Sequence, residues 1–93
     1  MNMPFPSRGQ VEFTRSSYLP GTRIVLSIMN DPFSPVEPGM RGTVRYVDDA
    51  GQVGVVWDNG RSLSLIPGVD NFRKLTQQEI AQEQGIRMEE MKL

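Results

Sequence analysis

The sequence predicts a mainly β protein: a small barrel of about five strands followed by a short C-terminal α-helix. Short runs rich in β-branched residues alternate apolar and polar positions, and turn residues separate these runs at close intervals. The chain has 93 residues, including 9 glycines and 7 prolines, so it has room for one domain with many turns. We therefore expect an irregular segment at residues 1–20, the barrel at 21–75 and a helical tail at 76–93.

Five segments have the composition of strands, and most are bounded by glycine, proline or a turn dipeptide. They are residues 22–29, 41–47, 52–58, 61–66 and 72–75. Their side chains that share one face form the predicted core, which consists of Ile24, Leu26, Ile28, Val44, Val53, Val55, Trp57, Leu63 and Leu65. Tyr46 lies two positions after Val44, so the alternation predicts core packing for it as well.

The connections between the strands differ in length. Residues 30–40, from Asn30 to Met40, contain three prolines, which exclude a helix or a central strand and predict a stiff loop. Residues 48–51 predict a tight turn, and Asn59-Gly60 predicts a type I′ hairpin. One long first connection followed by tight hairpins matches the order of an SH3-like barrel.

The two ends of the chain give different signals. Near the N-terminus the prolines and Gly9 favour no regular structure, although Val11 and Phe13 could supply a short strand or a strap packed on the barrel. At the other end, Thr76 followed by Glu79 forms a capping box, which predicts a helix from residue 77 to about residue 84, with Gly85 directly after its end. Whether this helix packs on the barrel or on a partner stays open.

The composition excludes several classes of function. The chain has no cysteine and no histidine, which excludes disulfides, thiolate nucleophiles, zinc sites built on these residues and Ser-His or Cys-His catalysis. Asp48, Asp49 and Asp58 lie at turns, where carboxylates bond the backbone more often than they bind metal. We therefore expect neither an enzyme nor a bound cofactor.

The charge and hydropathy patterns indicate where the protein resides. The formal net charge of −1 gives no strong attraction to nucleic acid or to a membrane surface. No apolar run approaches the length of a membrane span, and residues 1–8 lack the pattern of a signal peptide. We expect a cytoplasmic protein without a membrane partner.

Residues 21–73 resemble an uncharacterised domain-of-unknown-function family, whose members are small proteins of bacteria, phages and conjugative elements. The most specific parts of the resemblance are the segment from Met29 to Phe33 and the segment from Trp57 to Gly60. Further matching residues are Gly21-Thr22-Arg23, Pro38-Gly39, Arg41-Gly42-Thr43-Val44, Val47-Asp48-Asp49-Ala50-Gly51, Val55, Leu63, Ile66-Pro67-Gly68 and Asp70. The resemblance implies an SH3-like barrel and a mobile-element setting, and it implies no activity.

The loop of residues 30–40 is the first candidate for a binding surface, since long structured loops on small domains often carry function. Its candidate contact residues are Asp31, Phe33 and Val36. Phe33 is either an anchor for a partner or a cap that folds back over the open end of the barrel. Trp57 could line a groove for an extended peptide, although its position on the face of Val55 indicates core packing.

Arginines supply a second candidate surface. Arg23, Arg41, Arg45 and Arg61 lie on neighbouring strands or hairpin ends and could form a basic stripe for single-stranded nucleic acid. The even balance of charges favours instead a solvated face neutralised by acidic residues.

We expect a protein-interaction module that binds a protein partner through the loop of residues 30–40. The alternatives are a nucleic-acid-associated protein of a mobile element and an inhibitor of a host defence nuclease.

Overall fold

A computed structural model of the chain describes residues 6–28, 33 and 36–91, with side chains as far as residue 85. Its elements in chain order are α1 (Arg8–Ser17), β1 (Arg23–Ile28), β2 (Arg41–Val47), β3 (Val53–Trp57), β4 (Ser62–Leu65), β5 (Asn71–Lys74) and α2 (Gln77–Met91). The protein is therefore mainly β, with one antiparallel sheet and a helix at each end of the chain.

The helix α1 corrects the irregular segment expected at residues 1–20. It begins with a capping box, in which the Gln10 backbone N–H donates to Ser7 Oγ and the Ser7 N–H donates to Gln10 Oε1. Val11 is the buried residue of the helix. Arg15 joins α1 to the end of β2, since its Nη2 donates to the Val47 carbonyl at 3.2 Å and pairs with Asp49 at 3.2 Å.

The five strands form one sheet in the order β4-β3-β2-β1-β5, and every pair is antiparallel. The last strand returns to lie beside the first, with Ile24 opposite Lys74 and Leu26 opposite Phe72. Among the described residues β4 and β5 each have one neighbouring strand, so the sheet is not closed. The expected SH3-like barrel is therefore not confirmed, whereas all five predicted strands are present.

The core lies on one face of the sheet and contains most of the predicted residues. It consists of Ile24, Leu26, Val36, Val44, Val47, Val53, Val55, Trp57 and Leu65, with Leu63 partly buried against them. The prediction for Ile28 is wrong, because this side chain is 59% exposed and follows a register shift between β1 and β5. The prediction for Tyr46 is wrong for the same kind of reason, since a register shift follows Val44 and leaves the ring exposed.

Both tight hairpins use a glycine with positive φ at the last loop position. In the β3–β4 hairpin the Gly60 N–H donates to the Trp57 carbonyl and φ of Gly60 is 87°. Asn59 does not have positive φ, so the predicted type I′ turn is wrong. The three-residue loop with a left-handed third residue matches a type I turn followed by a G1 bulge.

At the β2–β3 turn the Asp48 carboxylate accepts from the backbone N–H groups of Ala50 and Gln52, as the turn interpretation predicted.

The capping box at the start of α2 is confirmed. The Glu79 N–H donates to Thr76 Oγ1 at 3.1 Å, and the Thr76 N–H donates to Glu79 Oε1 at 2.9 Å. The predicted end of the helix is wrong, since Gly85 lies inside α2, which continues to Met91. No helix in the described part of the chain is long and apolar enough to span a membrane.

Candidate interaction site

Two apolar side chains of the connection between β1 and β2 lie in opposite environments. Val36 is 3% exposed and belongs to the core, so the prediction that it contacts a partner is wrong. Phe33 is 91% exposed, which contradicts the alternative that it caps the sheet. Asp31 lies outside the described residues.

The second half of this connection is fixed to β1 by backbone hydrogen bonds. The Gly39 N–H donates to the Leu26 carbonyl at 2.7 Å, and the Leu26 N–H donates to the Met40 carbonyl at 2.9 Å. Together with burial of Val36, these bonds hold the end of the connection against the sheet. An exposed aromatic side chain therefore lies three residues before an anchored segment.

Trp57 does not line a groove. Its side chain is 1% exposed, and its Nε1 donates to the Leu63 carbonyl at 3.1 Å. The ring therefore fills the core with its one polar atom satisfied, as the alternation along β3 indicated. The exposed aromatic ring of the sheet is Tyr46, which lies over Gly54 on β3.

Of the four arginines predicted to form a stripe, the structure joins two. Arg23 forms a two-bond pair with Asp58, with both nitrogen–oxygen distances at 2.8 Å. It also donates to Glu83 at 2.7 Å and 3.2 Å and to Thr43 Oγ1 at 3.1 Å. Arg41 shares the Glu83 carboxylate at 3.1 Å, so one carboxylate from α2 bridges β1 and β2.

The same surface extends to β5. Arg73 donates to Glu79 at 2.8 Å and 3.1 Å, and Arg41 lies 3.6 Å from the same carboxylate. We call this group the ionic cluster; its members are Arg23, Arg41, Arg73, Asp58, Glu79 and Glu83. Three arginines meet three carboxylates, so the formal charges cancel. No described ion pair joins Arg45 or Arg61, both exposed, to the ionic cluster.

The ion pairs of the cluster stabilise the charged form of each partner. The Arg73 guanidinium, followed by the backbone N–H of Thr76, lowers the pKa of Glu79 to about 2 from its ordinary 4.5. Arg23 and then Arg41 lower the pKa of Glu83. Asp58 and then Glu83 raise the pKa of Arg23, and Glu79 raises that of Arg73.

A surface shared by Glu79, Glu83 and Arg73 was not predicted from the sequence. Glu79 was recognised for its capping role, and Glu83 lies four residues later, a spacing that places both carboxylates on one helix face. That spacing was the available signal. Which strands this face would meet depends on contacts 60 residues apart in the chain.

An apolar groove of about 1000 Å³ lies between α1, the β2–β3 turn and the residues after β4. Its apolar lining includes Pro6, Phe13, Ala50, Ile66, Pro67 and Val69. Phe13, Ile66 and Val69 are exposed there. The groove was not predicted from the sequence because it depends on α1, which was not predicted either.

Carboxylates do not converge in the way a metal site requires. Within the residues that the structure describes, no three acidic side chains are grouped so that they could hold a metal ion. Asp48 is instead used by its turn, and Asp58 by Arg23.

Fold and surface together define a small open β-sheet domain with an exposed loop aromatic and an ion-paired C-terminal helix. The chain belongs to the family described as a domain of unknown function (DUF4314), whose model matches residues 7–75. The match includes α1 and ends just before α2, so the family definition takes in the N-terminal helix that the resemblance had left out. A comparison with curated proteins finds no match.

Proposed function

We propose that the protein is a non-catalytic protein-binding module in which Phe33, in the loop of residues 30–40, anchors a protein partner. The observation that carries this proposal is the contrast between Phe33 at 91% exposure and Val36 at 3% exposure in one connection. Phe33 lies outside the core, although Val36 in the same connection belongs to it. Exposed large aromatic side chains are the type of residue that dominates protein interfaces.

The way the connection is attached supports this proposal. Val36 and the backbone hydrogen bonds of Leu26 fix one side of the loop, so less conformational entropy is lost when a partner covers the aromatic ring. Burial of a phenylalanine side chain contributes roughly 1.5–3 kcal/mol. One such anchor alone gives a modest affinity for the partner, and the surrounding contacts increase that affinity.

An SH3-like architecture is part of the proposal. Three features support it: the long β1–β2 connection, the tight hairpins that follow, and the return of β5 to the side of β1. Folds of this kind hold interaction loops on a rigid sheet, although a fold alone does not define a function.

The ionic cluster argues against the alternative of nucleic-acid binding through the arginine stripe. Arg23 and Arg41 are paired with carboxylates on α2, and Arg23 is also paired with Asp58. Phosphates would have to displace these carboxylates before they could contact either guanidinium.

The test is a pull-down with the tagged full-length chain from a lysate of its source organism, with and without nuclease. The variant is Phe33→Ala, and the matched control is Phe13→Ala, which removes an exposed phenylalanine from the apolar groove. We expect a nuclease-resistant protein that the parent chain and Phe13→Ala recover and that Phe33→Ala loses. Its affinity for the purified chain should fall about tenfold or more on Phe33→Ala.

Three results would contradict the proposal. Equal recovery by Phe33→Ala would remove the anchor, and loss with Phe13→Ala alone would move the interaction to the apolar groove. Partners that disappear on nuclease treatment would favour nucleic acid instead. The melting temperature of each variant, followed by Trp57 fluorescence, separates lost binding from lost folding.

A further inference from the structure

Helix α2 contacts the sheet through two carboxylates one turn apart. Glu79 and Glu83 meet arginines from three strands: Arg23 of β1, Arg41 of β2 and Arg73 of β5. Glu83 bridges Arg23 and Arg41, while Glu79 bridges Arg41 and Arg73. Arg41 therefore lies between two carboxylates that share one face of a helix.

The planar guanidinium group makes this surface selective. Arg23 and Arg73 each offer two N–H groups to one carboxylate of α2, which fixes the direction as well as the distance of the contact. The spacing of the three arginines thus fits acidic side chains four residues apart on a helix.

We propose that the surface of Arg23, Arg41 and Arg73 is a docking site for an acidic helix of a partner protein, and that α2 occupies this site in the isolated chain. The site is distinct from the Phe33 loop, so this inference does not depend on the proposed function. Binding of the partner helix displaces α2 from the sheet.

Charge favours a helix over nucleic acid as the occupant. Residues 1–74 carry 8 basic and 7 acidic side chains, a balance of +1 once α2 is set aside. Asp58 pairs with Arg23 at 2.8 Å and is not part of α2, and it would repel a continuous phosphate backbone. A single separate carboxylate, that of Glu83 on α2, is accommodated on Arg23 beside Asp58.

The attachment of α2 is suited to displacement. Its ion pairs lie near the protein surface, where such pairs contribute little to stability and are screened by salt. α2 competes through its covalent connection, which raises its local concentration to the millimolar range for a short linker. A partner helix with a few contacts more than α2 overcomes that advantage.

The test uses a synthetic peptide of residues 75–91 as the probe, added to the isotope-labelled full-length chain and followed by backbone amide shifts. In the double variant Glu79→Gln/Glu83→Gln the site is vacated, and glutamine at position 79 still supports the capping box. We expect this variant to bind the peptide about tenfold more tightly than the parent chain does, which corresponds to about 1.4 kcal/mol. The shifts should map to β1, β2 and β5.

Matched controls define the chemistry of the site. A peptide with glutamine at positions 79 and 83 should bind the double variant about tenfold more weakly than the parent peptide does. Adding Arg41→Gln to the double variant should lower its affinity for the parent peptide to a similar degree. Equal binding of both peptides would overturn the proposal, as would binding of the peptide to neither chain. Tighter binding of a single-stranded oligonucleotide than of the peptide would also overturn it.

A second measurement checks that the ion pairs hold α2 in place. The chain has no cysteine, so spin labels can be placed at Arg61→Cys and Gln84→Cys, both exposed positions. We expect one narrow distance distribution in the parent chain and a broad one with Glu79→Gln/Glu83→Gln. A narrow distribution in both would overturn the proposal. Phe33→Ala should change neither measurement. If the docking site of α2 is disproved, the proposed function of Phe33 therefore still stands, and if the role of Phe33 is disproved, the docking site still stands.

Discussion

The sheet and the C-terminal helix are held by different forces. The sheet is stabilised by apolar side chains buried on one face, including Ile24, Val44 and Leu65 at 0% exposure. Helix α2 meets that sheet through the ionic cluster, whose ion pairs join two carboxylates of the helix to guanidinium groups of three strands. One chain therefore contains an apolar unit and an ionically attached one.

This difference determines how each region responds to its surroundings. Apolar burial depends little on salt or on mild changes in pH, whereas exposed ion pairs weaken as salt rises and as carboxylates gain protons. Conditions should therefore exist in which α2 has left the sheet while the core stays intact. A change made in one region can therefore be measured against the other region as its reference.

The largest effect is expected in the core. Leu65→Ala removes a fully buried side chain from β4 and leaves a cavity, so we expect the free energy of unfolding to fall by about 3 kcal/mol. Urea denaturation, with Trp57 fluorescence as the signal, measures this free energy of unfolding. Ile66→Ala is the matched control, since this neighbouring side chain is 42% exposed. Similar losses for both variants would show that β4 is not part of a packed core.

Overpacking should have the next largest effect. A Cβ atom at Gly42 would lie 2.6 Å from Val55 Cγ1 and 3.1 Å from the Val56 carbonyl oxygen, where there is no space for it. We expect Gly42→Ala to cost about 1–3 kcal/mol in urea denaturation. Gly54→Ala should cost less, because its Cβ meets the exposed Tyr46 ring, which can swing outward. A larger loss for Gly54→Ala would contradict this account.

The strands could be predicted because their signals are local. Alternating apolar residues and nearby turn glycines specify β2 at residues 41–47 as the structure has it, and they specify β3 and β4 to within one residue at each end. The departures occur at register shifts. A bulge adds one residue to a strand and reverses the alternation beyond it, which is why Tyr46 and Ile28 are exposed.

The helical ends and the candidate site were harder to predict. α1 has a capping box at Ser7 and Gln10, but prolines and glycine in the same segment masked that signal. Gly85 did not end α2, because a glycine within a helix costs only about 1 kcal/mol against alanine. The ionic cluster depends on contacts between α2 and a strand 60 residues earlier in the chain, and periodicity contains neither these contacts nor the exposure of Phe33.

Acid should separate the two regions. The pKa of Glu79 is lowered to about 2 and that of Glu83 is also lowered, so their stabilising effect is complete above about pH 4.5 and is lost as pH falls toward 2. Arginine side chains as a class stay charged throughout this window, and Asp58 lies beside Arg23. We expect the amide shifts of α2 to change in this window before Trp57 fluorescence does. In Glu79→Gln/Glu83→Gln the α2 shifts should lose this dependence; if they keep it, other groups control the helix.

The smallest effect tests the ion pair that belongs to the sheet alone. Arg23 and Asp58 join β1 to the residue after β3, and a double-mutant cycle with Arg23→Gln and Asp58→Asn isolates their interaction. The cycle is best run on Glu83→Gln, which removes the other carboxylate bonded to Arg23. Because both side chains are partly exposed, we expect a coupling of about 0.5–1 kcal/mol in urea denaturation. It should decrease in about 1 M NaCl, where the screening length is roughly 3 Å. If salt leaves the coupling energy unchanged, the geometry of the two hydrogen bonds joins the arginine to the sheet, and the attraction of charges does not. The contrast between apolar and ionic regions would then apply to α2 only.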